Sequence, residues 1–152
     1  MSNIVSITGD DTTIIGGQLI TSFGVGVVAE LTYPEDIAKY TRGKNGNTVI
    51  ALNNSGFLSE LKIKILLGSV DDEYFNKQMA LMKQAFSAYV LLNGVFIKNV
   101  GDGFGNIKPV TYLVSQGSPT KMPGAQSVAE GTPEQSQVEW NFKFSNSDRQ
   151  VG

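Results

Sequence analysis

Two stretches of the chain alternate apolar and polar residues without a break. In Glu60-Leu61-Lys62-Ile63-Lys64-Ile65-Leu66-Leu67, the residues Leu61, Ile63, Ile65 and Leu67 share one side and Lys62 and Lys64 the other. In Gln137-Val138-Glu139-Trp140-Asn141-Phe142-Lys143-Phe144, Val138, Trp140, Phe142 and Phe144 point one way while Gln137, Glu139, Asn141 and Lys143 point the other. A period of two sends successive side chains to opposite faces of a β-strand, so each stretch predicts a strand with one face on a core and one face wet. The same pattern, less regular, predicts a strand over Val25–Leu31. Thr13–Ile15 and Gln18–Ile20 flank Gly16-Gly17, which suits a primed hairpin turn, and Tyr89–Leu92 and Val95–Ile97 flank Asn93-Gly94, a strong hairpin signal. Val110–Val114 is a further β-branched run. These segments predict seven or eight strands.

One helical pattern interrupts them, from about Val70 to Phe86. Ser69 precedes it as a candidate N-cap, and Asp71, Asp72 and Glu73 load its first turn with the charge that suits the positive end of the helix dipole. Phe75, Met79, Met82 and Phe86 recur at spacings of four, three and four, one apolar stripe along the helix. The stripe covers a face or edge of the sheet, or else forms a Met-rich partner groove. Two segments, from Tyr33 to Asn47 and from Ser115 to Gln137, read as long loops rich in Gly, Pro and polar residues.

Composition narrows the chemistry. At 152 residues the chain is the size of a single domain spanning 1–152. It has neither cysteine nor histidine, which removes thiolate and imidazole metal sites, Ser-His-Asp and Cys-His catalysis, and disulfides. A net charge of −2 gives no basic footprint for a nucleic-acid binder. Gly101-Asp102-Gly103-Phe104-Gly105-Asn106 lacks the last glycine of a dinucleotide fingerprint and reads as a glycine-rich loop. Arg42–Thr48 lacks the Gly-Lys-Ser/Thr ending of a phosphate loop. Asp10-Asp11 and Asp71-Asp72-Glu73 lack calcium-loop spacing, and nothing singles out two of the fourteen carboxylates as a glycosidase pair. No catalytic residue, metal ligand or cofactor site is expected, and the chain is expected not to be an enzyme. No basic leader and no apolar run of membrane-spanning length is visible, so membrane insertion is not expected either.

Several local words resemble the tail tube proteins of contractile-tailed bacteriophages, whose relatives form tailocin and type VI secretion tubes. They are Gly17-Gln18-Leu19-Ile20-Thr21-Ser22-Phe23-Gly24, the Gly-bearing segment Gly43–Gly46, Asn53-Asn54-Ser55-Gly56 leading into Glu60–Leu67, the helix opening Ser69–Glu73, and the aromatic strand Val138–Phe144. The resemblance implies a mainly β fold with one α-helix, a two-sheet antiparallel sandwich or barrel of the tail tube type. It implies homohexameric rings stacked into a virion tail tube that conducts DNA during ejection. Sheath, baseplate or initiator and tape measure proteins would be partners, with synthesis and assembly in the host bacterial cytoplasm. Four strands per subunit would give a barrel of about 24; at roughly 6 Å of circumference per tilted strand the backbone diameter is about 48 Å and the opening about 38 Å.

On that resemblance, Glu30, Thr32, Lys62, Lys64, Glu139, Asn141 and Lys143 are candidate lumen-lining residues, each with an ordinary solvated face as its alternative. Tyr40, Thr41, Arg42, Gly43, Lys44, Asn45, Gly46 and Asn47 are candidates for a loop that stacks one ring on the next. The rival expectation is a discrete carbohydrate-binding β-sandwich using Tyr33, Tyr40 and Phe104. A secretion-system tube of the same architecture is the other alternative.

Overall fold

The computed structural model describes residues 5–7, 11–24, 26–125, 127, 129–131 and 136–152. Within them lie ten strands and one α-helix: β1 (Ser6–Ile7), β2 (Thr12–Ile15), β3 (Gln18–Leu19), β4 (Ala29–Thr32), β5 (Ala38–Arg42), β6 (Thr48–Leu52), β7 (Ser59–Leu66), α1 (Val70–Gln84), β8 (Leu92–Gly101), β9 (Ile107–Lys121) and β10 (Gln137–Val151). Short 3-10 turns occupy Asn54–Phe57 and Phe86–Ala88. Eight strands form one antiparallel sheet in the order β3-β2-β8-β9-β10-β7-β4, with β1 also on β8; β5 and β6 form a separate two-stranded sheet.

The large sheet is rolled into two layers. Leu31 and Leu61, near one end of the strand order, line the same internal crevice as Thr13 and Ile15 near the other and Val114 in the middle. The long strands β9 and β10 run through both layers. Along β10 the inward positions are Val138, Trp140, Phe142 and Phe144, and then Ser147. This change of phase falls beside Gln116 on β9, a residue at φ +58° whose amide oxygen accepts from Ser145 Oγ at 2.8 Å. The fold class read from the sequence, mainly β with one helix and antiparallel layers, is the one the chain adopts.

The two alternating segments become β7 and β10, paired in register from Gln137↔Leu66 to Phe144↔Ser59. Their apolar faces form the centre of the core: Leu61, Ile63 and Ile65 pack with Trp140, Phe142 and Phe144, all almost inaccessible to water. Leu67, grouped with that face by the pattern, lies in the turn beyond β7 and is exposed.

Helix α1 closes one side of this core. Ser69 Oγ accepts the Asp72 N–H at 3.2 Å, as expected of an N-cap. Phe75 packs edge-on against Phe142 (4.9 Å between centroids) and Trp140 (5.7 Å). The helix ends two residues earlier than the periodicity implies. Ala85 leaves helical geometry (φ −154°, ψ 81°), so Phe86 swings out of the stripe to 68% exposure.

Three other expectations are corrected. Asn93-Gly94 is not a hairpin turn: both residues lie within β8, in strand conformation, at a register shift between Leu92 and Gly94. Gly94 is buried there, and a Cβ on it would lie 2.9 Å from Val114 Cγ2 and 3.3 Å from the Ile14 carbonyl, so the glycine serves close packing and not a turn. The segment from Tyr33 to Asn47 is not a long loop, since it contains β5 and leads into β6. The segment from Ser115 begins with seven residues of β9, and Val110–Val114 is the interior of that strand. Gly101–Asn106 is a glycine-rich loop as read. Asp102 closes it by accepting from Phe104 N (2.7 Å), Asn106 N (3.2 Å) and Asn106 Nδ2 (2.7 Å). The side-chain bond from Asn106, followed by that from the Phe104 N–H, holds the Asp102 carboxyl below the ordinary range. The strand expected over Val25–Leu31 is β4, which begins only at Ala29; Val25, Asp10 and Pro133 lie outside the described residues.

Candidate functional site

The face of the sheet opposite the core gathers all seven lumen-lining candidates. On β4, β7 and β10 the registers are Glu30↔Lys62 and Thr32↔Glu60, then Lys64↔Glu139, Lys62↔Asn141 and Glu60↔Lys143. Each lysine that β7 and β10 carry on this face therefore stands directly across the ladder from a glutamate. Lys143 Nζ reaches Glu60 Oε1 at 3.5 Å, and Thr32 Oγ1 donates to the Glu60 carbonyl at 3.4 Å. Glu30, Lys62, Lys64 and Glu139, with Val27, surround an open depression of about 170 Å³. Three carboxylates and three ammonium groups cancel, and opposite-charge cross-strand pairs of this kind support the sheet.

The face has a fourth strand and two open edges. β8 leaves β9 at Leu92↔Gly117, while β9 continues against β10 through Ser118↔Lys143 to Lys121↔Asn141. Among the described strands, β9 beyond Gly117 has a partner only in β10, and β4 only in β7. An unpaired strand edge is a template for further pairing.

The stacking-loop candidates lie on a hairpin, not a loop. Tyr40, Thr41 and Arg42 are the end of β5, paired as Tyr40↔Ile50, Thr41↔Val49 and Arg42↔Thr48. Gly43, Lys44, Asn45, Gly46 and Asn47 make the turn, closed by Gly43 N to Asn47 O at 2.8 Å and Gly46 N to Gly43 O at 3.1 Å. The base of the hairpin is clamped. Asn53 N donates to Ile37 O (2.8 Å) and Asn53 Nδ2 to Asp36 O (2.9 Å). Tyr33 anchors the entering strand by accepting from Ser147 Oγ at 3.0 Å. Burial, outweighing that bond, pushes the Tyr33 phenol above its ordinary pKa. Beyond the base the hairpin is open among the described residues: Tyr40, Val49, Ile50 and Leu52 are 62–70% exposed. Sequence reasoning missed the apolar half of this element, although the β-branched run Thr48-Val49-Ile50 was the signal for it.

The acidic residues at the start of α1 have structural partners. Asp71, 2% exposed, accepts from Ser22 N (2.8 Å), Thr21 N (3.0 Å) and Gln18 Nε2 (2.9 Å). Burial alone would raise its pKa; the bonds from Ser22, Gln18 and Thr21 outweigh it and hold the carboxyl below the usual 3.8. Asp72 accepts from Trp140 Nε1 (2.9 Å) and Gly68 N (2.9 Å). A groove of about 320 Å³ runs between α1 and the end of β9, lined by Met79, Met82, Phe86, Pro119 and Met122 with Lys83 and Lys121 beside them. It is the Met-rich surface that the helix stripe allowed. Of the aromatic candidates for sugar stacking, Tyr33 is tied to Ser147 and Tyr112, while Tyr40 and Phe104 stand exposed on separate hairpins. Among the described residues no helix is long and apolar enough to cross a membrane.

No family model and no curated protein sequence matches the chain. Solved structures do. One similar chain comes from the cryo-EM structure of an extracellular contractile injection system, the PVC sheath/tube terminator in its extended state. Its TM-score is 0.61 at 13% identity, covering 95% of this chain and 96% of that one. A second belongs to the anti-feeding prophage cap, the AFP tube terminating cap, with TM-score 0.63 at 10% identity over 97% and 92%. A third is from the PVC sheath-tube complex in its extended state, with TM-score 0.60 at 13% identity over 93% and 88%. Identities this low establish a shared fold, and that fold is one found in the tube and terminator assemblies of contractile injection machines.

Proposed function

We propose that this chain is a structural subunit of a contractile injection machine or contractile phage tail, whose copies close into rings that stack as the inner tube. The observation that carries the reading is the β5–β6 hairpin. An isolated two-stranded hairpin is marginal in water, and this one exposes four large apolar side chains among the described residues. A neighbouring copy supplies the missing surface. The two open edges of the four-stranded polar face, at β4 and at the end of β9, support lateral closure by strand pairing between copies, six to a ring in the resembling family. The polar face then lines the duct and α1, on the other side of the sheet, faces outward toward a sheath. Baseplate and tape measure proteins, passage of DNA, and a place in a virion tail belong to the same proposal, as does the single domain over the whole chain. A secretion tube of this architecture uses the same surfaces.

Deleting Thr41–Gly46 tests it. The shortened chain keeps its circular dichroism spectrum and melting transition but yields rings without tubes by negative stain. Tubes of normal length after the deletion refute the stacking role. The terminator and cap structures among the similar folds favour one further reading, a ring that ends a tube. The purified intact chain separates the two, because a tube subunit elongates with concentration and a terminator stops at rings.

A further inference from the structure

The charge pattern of the polar face carries a consequence for what can move across it. Lysine at Lys62, Lys64 and Lys143 is a costly choice for a lining, because exposed cations bind a polyanion by releasing its counterions. A wholly acidic face has the opposite defect: its strands would set like charges directly across the ladder, which destabilises a sheet. The chain combines the two, with Glu30 across from Lys62 and Glu139 across from Lys64 around one shared depression. Neither glutamate has an ion-pair contact within 4 Å among the described residues, whose only ion pairs are Lys98–Asp11 and Lys143–Glu60. Their effect is therefore on the field above the face more than on a particular bond.

We infer that Glu30 and Glu139 are guard residues, which cancel Lys62 and Lys64 and keep this face from retaining polyanionic cargo. The inference rests on the reading of the face as a tube lining, and predicts a latent nucleic-acid site that two isosteric changes uncover. All four side chains are outside the core, so isosteric changes there remove cross-strand pairing and leave the core packing in place.

The test uses the full chain and a fluorescent DNA duplex of about 20 base pairs, followed by anisotropy. E30Q/E139Q binds the duplex more tightly than the parent chain. With two additional lysines free, the plot of log affinity against log salt steepens by about 2, so the gain shrinks about tenfold between 50 and 200 mM salt. Adding K62Q and K64Q removes the gain, which separates this face from the cationic hairpin tip. A change below twofold in E30Q/E139Q, or a gain that survives K62Q/K64Q, overturns the inference. The lining has its own readout: N141C, a lone cysteine in a cysteine-free chain, carries a maleimide–gold label that sits on the tube axis in micrographs. A label on the outer wall sinks the lining reading whatever the DNA result, and with it the transport role of the guards.

Discussion

Replacing Trp140 measures the hinge between sequence pattern and fold. Its indole is fully buried near the start of β10, edge-on to Phe75 at 5.7 Å, and its Nε1 donates to Asp72 at 2.9 Å. Trp140→Ala removes the ring from between β10 and α1 and leaves a cavity, which costs about 3–5 kcal/mol. Trp140→Phe keeps most of the apolar contact and deletes the bond to Asp72. That bond has an ionised acceptor, but Asp72 is half-buried and regains water, so about 1.5–2 kcal/mol is lost there. Urea denaturation followed by circular dichroism checks both, since Trp140 is the single tryptophan and fluorescence disappears with it. The expected order is parent, then Phe, then Ala. An alanine variant within 0.5 kcal/mol of the parent would refute the assignment of this face as the core. A phenylalanine variant as stable as the parent would show that the Asp72 bond contributes nothing.

Asp71→Asn costs about 1.5–3 kcal/mol at pH 7, because the buried carboxylate accepts three hydrogen bonds. A carboxyl held below 3.8 in the folded state contributes stability that is complete above that value and lost as pH falls through the lowered one. The gap between parent and variant should therefore narrow as the pH falls below 3.8 in acid titrations followed by circular dichroism; a gap independent of pH contradicts the network. Ser59 is fully buried with an Oγ that has no hydrogen-bond partner, so Ser59→Ala raises the urea midpoint by roughly 1 kcal/mol equivalent, and a loss of that size argues otherwise. Gly117→Ala drives a methyl into the Phe144 ring and should unfold the chain or lower its melting temperature by about 6 °C or more, the equivalent of about 2 kcal/mol. A melting temperature unchanged within 2 °C means the strands can part there.

The core and the polar face were legible because both follow from period-two alternation, which is local: Leu61 to Ile65 and Val138 to Phe144 each declare both of their faces. The helix start was legible for the same reason, since Ser69 and Asp72 sit within one turn of each other. What failed depends on contacts distant in sequence. Asn93-Gly94 carries the composition of a tight turn, yet Gly94 is there because Ile14 on β2 and Val114 on β9 leave no space for a side chain. Lys39 to Asn47 is polar enough to read as a loop. Its strand character comes from pairing with Thr48–Leu52, whose large apolar side chains stand exposed among the described residues. The rule that apolar residues go inside holds for this segment only if the inside is shared with another copy.

Under the proposed stacking, two forces would seat the hairpin on a second copy, and their salt dependence differs. Ala38–Leu52 carries Lys39, Arg42 and Lys44 and no carboxylate; with a chain net of −2, the remainder carries −5. Attraction between this tip and the rest of a second copy is therefore built in. Exposed ion pairs contribute about 0.2–1 kcal/mol each, or roughly 1–3 kcal/mol for three. Covering the exposed parts of Tyr40, Val49, Ile50 and Leu52 contributes about 1–2 kcal/mol each, several kcal/mol together. Apolar burial wins, and charge sets the approach rate. Light scattering of elongating tubes should then show slower growth at 0.5 M NaCl but the same final tube mass. K39Q/R42Q/K44Q should likewise slow assembly without preventing it, whereas Ile50→Asp should leave rings only. Tubes that dissolve in 0.5 M NaCl while the Ile50→Asp chain stacks normally would reverse the ranking of the two forces.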